Sequence, residues 1–126
     1  MPFIRIESLP FEQPVDLPSI VRAVNRDISE TCAIELEHLH TLWTILPGGC
    51  YAKGDSSPDF QPELRHPLMV ELLTPDNYED ATITTMLETI ATSIARHANF
   101  PQQNIFIHHT TAAPGKVYDD GKLATW

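Results

Sequence analysis

The sequence predicts an α+β fold in which two β-α-β units form a four-stranded mixed sheet with both helices on one face. Two observations lead to this prediction. A segment with strand-like alternation follows Pro2, and a segment of similar character follows Pro67. After each of them comes an apolar stripe with helical spacing and then another strand-like segment. The 126 residues are therefore predicted to form one domain with pseudo-repeats 1–55 and 66–126.

The first unit begins with Pro2-Phe3-Ile4-Arg5-Ile6-Glu7, where apolar and polar residues alternate as in a half-buried strand. Asp16 is a suitable N-cap for the helix that follows. The apolar residues of that helix fall on one stripe: Leu17, Ile20, Val21, Val24 and Ile28. Leu39 to Leu46 is predicted to be the second strand, and Tyr51 to Arg65 is predicted to be a loop because glycine, proline and small polar residues cluster there.

The second unit repeats this order. Pro67 to Leu73 has little polarity, so we predict a strand that is buried on both faces. Asp80 is the second candidate N-cap, and its helix carries the stripe Ile83, Met86, Leu87, Ile90 and Ile94. Asn104 to Thr110 is predicted to be the fourth strand. A short hairpin of Val117-Tyr118 and Leu123-Ala124 is expected around Asp120-Gly121.

The apolar residues of the predicted second and third strands point to both faces of the sheet. Helices on one face alone would leave the apolar residues of the other face in water, and soluble monomers rarely expose such a surface. We therefore expect the chain to be oligomeric, most simply as a homotrimer in which three sheets pack around a central axis.

Charge and composition restrict the partners. The chain has 17 acidic residues against 8 Lys and Arg, a formal net charge of −9, which disfavours nucleic acid and anionic membrane surfaces. No apolar run approaches the ~20 residues that span a bilayer, so we expect a cytoplasmic protein. Cys32 and Cys50 are too few for a disulfide framework and are expected to be reduced. A carboxylate ligand would need a locally placed cation, from Arg5, Arg22, Arg26, Lys53, Arg65, Arg96, Lys116 or Lys122.

Several segments of the chain together carry a family resemblance. Met1-Pro2 stands at the start of a predicted strand, and two β-α-β units follow in a chain of 126 residues. Further segments are Cys50-Tyr51-Ala52-Lys53-Gly54, Pro67-Leu68-Met69-Val70-Glu71, and Ile105-Phe106-Ile107-His108-His109 followed by Ala112-Ala113-Pro114-Gly115-Lys116-Val117. Together they resemble the tautomerase superfamily, in particular the branch of macrophage migration inhibitory factor and carboxymethyl-hydroxymuconate isomerase. The resemblance spans essentially the whole chain, and the last of these segments is similar to that branch's fourth strand and tail.

The resemblance implies a homotrimer with a pocket at each subunit interface, and keto–enol tautomerase or isomerase activity on a small carbonyl acid such as an aromatic 2-keto acid. Carried over by position, Pro2 is the catalytic base and Thr74 offers backbone groups to the substrate. Phe106 and His108 line the pocket of the neighbouring subunit, and Tyr51 is a further candidate for lining it.

One departure from the family pattern concerns the cation. Many members place a basic residue near the start of the second strand to hold the substrate carboxylate, whereas this chain has Glu35-Leu36-Glu37-His38 there. Lys53, Arg65 or a histidine is therefore the candidate for that charge.

The chemistry of an amino-terminal proline explains why it can act as a base. An α-amino group has a pKa of about 7.7–8.0, and desolvation disfavours its charged form. The neutral nitrogen can then take a proton from carbon next to a carbonyl, while other groups stabilise the enolate oxygen. This requires removal of Met1, and it implies no metal or cofactor.

Three possibilities remain open at this stage. The chain is expected to be either an enzyme or a non-catalytic trimeric binding protein that has kept the same fold. The histidines suggest a third possibility, since His38 and His40 would share a strand face and His66, His108 and His109 are expected nearby. We favour ordinary polar roles for these histidines, because no carboxylate or cysteine has a ligand-like spacing to complete a metal site.

Overall fold

The computed structural model describes all residues from Met1 to Trp126. Its main elements are β1 (Phe3–Ser8), α1 (Leu17–Cys32), β2 (His40–Ile45), β3 (Leu68–Pro75), α2 (Asp80–His97) and β4 (Ile105–Ala112). The four strands form one sheet in the order β2-β1-β3-β4. The central pair β1–β3 is antiparallel, and the pairs β1–β2 and β3–β4 are parallel. The predicted α+β fold with a mixed four-stranded sheet is confirmed.

Both helices pack on one face of this sheet. Ile4, Ile6, Val70 and Leu72 project from the central strands into a core with the apolar stripes of α1 and α2. The helix residues fully buried in that core are Val24, Ile28, Met86, Ile90 and Ile94. Burial of these stripes provides the main stabilisation of the fold, at about 1.5–3 kcal/mol for each fully buried large apolar side chain.

The other side of the sheet, which we call the open face, has no helix over it. Its residues are Phe3, Arg5 and Glu7 of β1, His40, Leu42 and Thr44 of β2, Met69, Glu71 and Leu73 of β3, and Phe106, His108 and Thr110 of β4. Met69 is 37% exposed and Phe106 is 49% exposed. The prediction that the third strand is buried on both faces is therefore wrong for the single chain, because only its helix-facing side is covered.

The two helix starts differ from each other. Asp16 caps α1 as predicted, since its carboxylate accepts a hydrogen bond from the Ser19 backbone N–H at 3.1 Å. Asp80 is not a cap: Glu79 is the N-cap of α2, without a side-chain bond, and Asp80 is the first helical residue. The Asp80 carboxylate lies in the first turn, where it complements the positive end of the helix dipole.

The segment before β2 also differs from the prediction. Leu36–His38 form a short 3-10 turn, closed by bonds from His38 N to Glu35 O at 3.0 Å and from Leu39 N to Leu36 O at 3.1 Å. His38 therefore lies outside the strand and does not share a strand face with His40. The strand itself begins one residue later and ends one residue earlier than the predicted Leu39 to Leu46.

The tail forms the expected hairpin, with strands β5 (Tyr118–Asp119) and β6 (Lys122–Leu123). Asp120 and Gly121 both have positive φ, at 51° and 77°, as the type I′ turn between two strands requires. Neither of the two long helices is both long and apolar enough to cross a membrane.

Candidate active site

Pro2 is buried and stands immediately before β1. Its carbonyl oxygen accepts a hydrogen bond from the His40 backbone N–H at 3.2 Å, which extends the β1–β2 pairing to this residue. On the other side of β1, Phe3 pairs with Leu73 in antiparallel register, so the next position places Pro2 beside Thr74. A proline at the first position of a strand is favourable because it has no N–H to contribute to the ladder.

The chain terminus next to Pro2 is partly removed from water. Burial lowers the pKa of the Met1 amine, while the negative charge of Asp119 in the tail hairpin acts in the opposite direction. The local environment therefore disfavours a charged amine. After removal of Met1, the new amine would be that of Pro2, whose ring is already buried.

Thr74 is fully buried, and its hydroxyl is already engaged. It donates to the Pro75 carbonyl oxygen at 3.0 Å and lies 2.9 Å from Nε2 of His109. Since the hydroxyl proton is used, the imidazole Nε2–H is the donor to Thr74 Oγ1. Burial, with the charge of His108, lowers the pKa of His109. The Thr74 hydroxyl is thus not free for a ligand, which leaves its backbone groups for the role that the family resemblance implies.

Phe106 and Tyr51 lie at the other end of the sheet. Phe106 pairs with Met69, and the Tyr51 hydroxyl is 3.7 Å from Met69 Sδ. Burial raises the pKa of Tyr51 above its ordinary value. Met69 and Thr74 are separated by five residues of β3, about 17 Å at the usual rise of a strand. Within one chain, neither Phe106 nor Tyr51 reaches Pro2.

Lys53 and Arg65 are also remote from Pro2 in the same chain. Both are exposed and belong to the loop between the end of β2 and the start of β3, at the end of the sheet where Ser8 pairs with Ile45. Lys53 exchanges two backbone hydrogen bonds with Ser56, at 2.9 and 3.2 Å, and Arg65 has a left-handed backbone with φ of 73°. The structure therefore gives neither cation a place beside the proline.

The histidines do not form one cluster. His108 is exposed on the open face opposite Glu71, whereas His109 points to the helix side. His66 is buried, with Nε2 3.2 Å from the Ser56 carbonyl oxygen and its ring 5.8 Å from that of Tyr51. No group of three His, Cys, Asp or Glu side chains lies close enough together to hold a metal ion.

Sequence reasoning missed a cluster on the open face beside Pro2. The Arg5 guanidinium carbon lies 5.5 Å from the centre of the Phe3 ring. The rings of Phe3 and His40 are stacked, with centroids 6.2 Å apart and planes inclined by 17°. Strand alternation alone places Phe3 and Arg5 on one face, but the neighbour His40 becomes visible only once the strand register is known.

A cavity of about 680 Å³ lies away from Pro2, where α1 begins and α2 ends. Phe11, Ile20 and Phe100 form part of its wall, and it includes no lysine, no arginine and none of the predicted site residues. It therefore lacks a permanent cation that could hold a carboxylate. The candidate active site remains at the amino-terminal end of β1, where Pro2 and Thr74 are the predicted residues that the structure brings together.

No protein-family model matches the chain, and no curated protein matches it in sequence. Solved structures, however, match it over nearly its whole length. The F6 fused 4-OT wild-type asymmetric trimer has a TM-score of 0.81 at 14% identity, covering 97% of this chain and 95% of that chain. Protein N1, a member of the cis-3-chloroacrylic acid dehalogenase family, has a TM-score of 0.75 at 10% identity, with coverage of 97% and 82%.

A further match is the macrophage migration inhibitory factor of Toxoplasma gondii. Its TM-score is 0.65 at 12% identity, over 96% of this chain and 98% of that chain. At such identities the similarity concerns the arrangement of strands and helices, so the roles of individual residues depend on the local geometry described above.

Proposed function

We propose that this chain, which has the fold of the tautomerase superfamily, is a keto–enol tautomerase for a small carbonyl acid with the amine of Pro2 as general base. The observation that carries this proposal is the burial of Pro2 at the start of β1, next to an amine whose pKa burial lowers. The alternative, a binding protein without catalysis, has no such observation in its favour.

The proposed reaction needs only proton transfers. The neutral Pro2 nitrogen takes a proton from the carbon next to the substrate carbonyl, and the electron pair of that C–H bond becomes the enolate π bond. The protonated amine then gives this proton to the enolate oxygen, which yields the enol. In the direction of ketonisation, the neutral nitrogen takes the proton of the enol hydroxyl and then delivers it to carbon, which yields the keto form. The role of burial is to keep the nitrogen free of a proton near neutral pH. Backbone groups at Thr74 are the nearest candidates for binding the substrate, since its hydroxyl is occupied.

The assembly we propose is a homotrimer, because one chain does not contain a complete set of candidate residues. Pro2 and Thr74 lie at one end of the sheet, while Phe106, Tyr51, Lys53 and Arg65 lie at the other or in the loop beside it. A second copy packed against the open face would bring its own Phe106, Tyr51, Lys53 and Arg65 toward Pro2 and Thr74 of the first copy. The exposed apolar side chains of that face, Leu42, Met69 and Phe106, support such packing, and the similar F6 fused 4-OT structure is a trimer.

The proposed base is tested by comparing two prolines. Wild type, Pro2→Ala and Pro67→Ala are assayed for ketonisation of phenylpyruvate enol, after intact mass has established that Met1 is absent. Pro67 is the matched control, because it also directly precedes a strand of the sheet but is internal and never carries a free amine. We expect Pro2→Ala to lower kcat/KM, because it replaces the buried proline nitrogen with a flexible, better hydrated primary amine, and we expect little change for Pro67→Ala. Equal rates for wild type and Pro2→Ala would show that the proline itself is not required, and the extended chain described next then decides whether the terminal amine is the base.

An unprocessed amino terminus provides a second test. A chain extended by a few residues before Met1 keeps every side chain but has no free Pro2 amine. We expect it to fold and to be inactive in the same assay, whereas activity equal to that of the processed protein would contradict the proposal.

A further inference from the structure

The cavity of about 680 Å³ where α1 begins and α2 ends is named here the Phe11 cavity. Its wall consists of residues 11–16, 61–63 and 97–100, together with Ser19 and Ile20 of the first turn of α1. The length of β1 separates it from Pro2, since the five steps from Phe3 to Ser8 span about 17 Å. Pockets for small molecules have volumes of about 300–1,000 Å³. The Phe11 cavity is therefore large enough for a ligand of its own.

Hydrogen bonds hold the loop wall of the cavity in place. Gln61 is buried, and its side-chain Oε1 accepts a bond from the Leu9 N–H at 3.1 Å. Its Nε2 donates to the carbonyl oxygens of His66 at 2.6 Å and of Pro62 at 3.2 Å. The Gln61 N–H donates to the Pro10 carbonyl oxygen at 2.7 Å. Since these bonds tie the loop to the end of β1, the wall is preformed, as in most small-molecule sites.

Aromatic rings give the cavity an apolar wall. Phe11 is half-buried, so part of its ring is open to a ligand. The ring is held by an edge-to-face contact with Phe100, with centroids 6.3 Å apart, and by a tilted contact with Trp43 at 6.0 Å. Phe100 and Ile20 also line the cavity and are buried. Such a wall binds the apolar body of a ligand, and an aromatic face also attracts a cation.

The titratable side chains that line the cavity are acidic, apart from one histidine. Glu12, Asp16 and Glu63 belong to the wall, and no lysine or arginine does. The histidine, His97, is bonded through Nε2 to the Asp27 carboxylate at 3.1 Å, so its charge is paired when it is protonated. No three acidic, histidine or cysteine side chains lie close enough together to hold a metal ion. The carboxylates are therefore spread around the cavity, which suits an organic cation better than a bare metal ion.

The two helix ends at the cavity favour the same sign of ligand charge. α2 ends there, and the carbonyl oxygens of Ala98 and Asn99 accept no backbone hydrogen bond. The carboxyl end of a helix carries partial negative charge and favours cations. α1 begins there, but its positive end is occupied by the Asp16 carboxylate, which accepts a bond from the Ser19 N–H at 3.1 Å. The cavity thus offers an anion no free charge partner and offers a cation several.

We propose that the Phe11 cavity is a second ligand site, separate from Pro2, which binds a small organic cation with an apolar body, such as a protonated arylalkylamine. The Phe11 ring contacts the body of the ligand, and Glu12 and Glu63, from two different loops, hold its ammonium group. The net charge of −9 attracts such a cation to the protein. Since the cavity lies at the helix ends, packing of a second copy against the open face leaves it accessible. This inference is independent of the proposed reaction at Pro2.

The experiment compares phenethylamine, which is protonated at pH 7, with the neutral 2-phenylethanol of similar shape. Binding to the whole protein is followed at low salt by its amide NMR signals. We expect phenethylamine to shift the signals of Phe11, Ser19 and Asn99 along one saturable curve and to leave those of Phe3 and Thr74 in place. The alcohol should bind at the same signals more weakly. Equal affinities for the two probes, or shifts that spread over the surface without saturation, would overturn the inference.

Matched variants test the two carboxylates. Glu12→Gln and Glu63→Gln each remove one charge at nearly constant shape, and Glu88→Gln removes the same charge from an exposed position of α2 outside the cavity. We expect each cavity variant to weaken phenethylamine binding about twofold to fivefold, the usual range for an exposed ion pair. Binding of 2-phenylethanol should not change, and Glu88→Gln should match wild type. Equal phenethylamine affinities in wild type and both cavity variants, or an equal loss in Glu88→Gln, would overturn the assignment.

Two rival occupants are tested in the same spectra. 3-Phenylpropanoate is an anion with a similar body, and calcium is a cation without one. We expect 3-phenylpropanoate to leave the signals of Phe11, Ser19 and Asn99 in place. We expect calcium to compete with phenethylamine no better than sodium does at the same ionic strength. Binding of the anion at these signals, or specific displacement of phenethylamine by calcium, would overturn the proposal of an organic cation site.

Discussion

Thr74 and His109 join the two strands β3 and β4 through a side-chain hydrogen bond of 2.9 Å on the helix side of the sheet. Thr74 has no exposed surface, and its hydroxyl also donates to the Pro75 carbonyl oxygen. The bond therefore fixes the end of β3 at the position beside Pro2. Any backbone group that Thr74 offers to a ligand depends on this anchor for its orientation.

A double-mutant cycle measures this anchor. Thr74→Val removes the hydroxyl at nearly constant shape, and His109→Ala removes the imidazole. We expect a coupling free energy of about 1 kcal/mol between the two changes in urea unfolding, the usual net worth of such a hydrogen bond. Strictly additive effects would show that the two side chains do not stabilise each other.

The protonation of His109 should make the protein less stable in mild acid. Burial, with the charge of His108, lowers the pKa of His109, so the unfolded chain binds this proton more readily than the folded one. The free energy of unfolding should therefore fall as pH drops through the unfolded value of about 6.5 toward the lower folded pKa. Urea unfolding of wild type and His109→Gln between pH 7.5 and pH 5 checks this. The variant should lose less stability over that range, and an unchanged slope would contradict the assignment.

Asp27 connects the two helices at their exposed side. Its carboxylate accepts hydrogen bonds from Ser93 Oγ at 2.7 Å and from His97 Nε2 at 3.1 Å. Burial alone would raise the pKa of Asp27, but these two bonds and the charges of His97 and Arg96 outweigh it and lower the pKa. The carboxylate thus stabilises the fold above its unfolded pKa of about 3.9, and this contribution is lost as pH falls through the lower folded pKa.

Asp27→Asn should cost about 1 kcal/mol at pH 7, because the bond is charge-assisted but partly exposed. The difference from wild type should shrink as the pH is lowered below about 4, where the wild-type carboxyl is also neutral. Chemical unfolding at pH 7 and pH 3 measures both values. A variant as stable as wild type at pH 7 would show that Asp27 does not hold the helices together.

The features of the fold that depend on residues close together in the sequence were predicted correctly. The Asp16 cap and the apolar stripes of both helices follow from residues three or four positions apart, and the structure has the cap and both stripes, although Val21 and Ile83 lie outside the core. The fold itself, expected from the family resemblance, is confirmed by solved structures at TM-scores of 0.65 to 0.81. The N-cap of α2 was predicted one position too late, at Asp80 instead of Glu79. A rule based on local sequence does not distinguish between neighbouring acidic residues at the start of a helix.

The candidate site was harder to predict from the sequence than the helices, because its residues lie on different strands of the sheet. Pro2 and Thr74 were named from the family resemblance, and the register places them side by side. The cluster of Phe3, Arg5 and His40 was not predicted, since Phe3 and His40 are far apart in sequence and meet only through the parallel pairing of β1 with β2. The proposed roles of Lys53, Arg65, Phe106 and His108 would require a second copy of the chain, and contacts between copies cannot be read from the alternation and spacing of residues in one sequence.

The open face should be the contact between subunits. Phe106 is 49% exposed there, and replacing it with lysine would place a charge in the interface of a trimer. We expect Phe106→Lys to sediment as a monomer with unchanged helix and strand content by circular dichroism. Leu64→Lys is the control, because Leu64 is a 63% exposed apolar residue of the loop before β3 and not of the sheet. A Phe106→Lys protein with the wild-type mass in light scattering would mean that another surface makes the assembly.

Asp119 should set the pH range in which the proposed base is active. Burial lowers the pKa of the Met1 amine, and the negative charge of Asp119 raises it again by favouring the protonated form. We expect the same two effects on the Pro2 amine that replaces it after removal of Met1. The neutral amine is the active form, so kcat/KM falls as pH drops through the pKa of the amine. Asp119→Asn removes the opposing charge, lowers that pKa further and should move the acidic limb of the pH profile of enol ketonisation to lower pH. Asp120→Asn, at the adjacent turn position where asparagine tolerates the positive φ of 51°, should leave the limb in place. If Asp119→Asn leaves it in place as well, the tail hairpin does not act on the amine in the assembled protein.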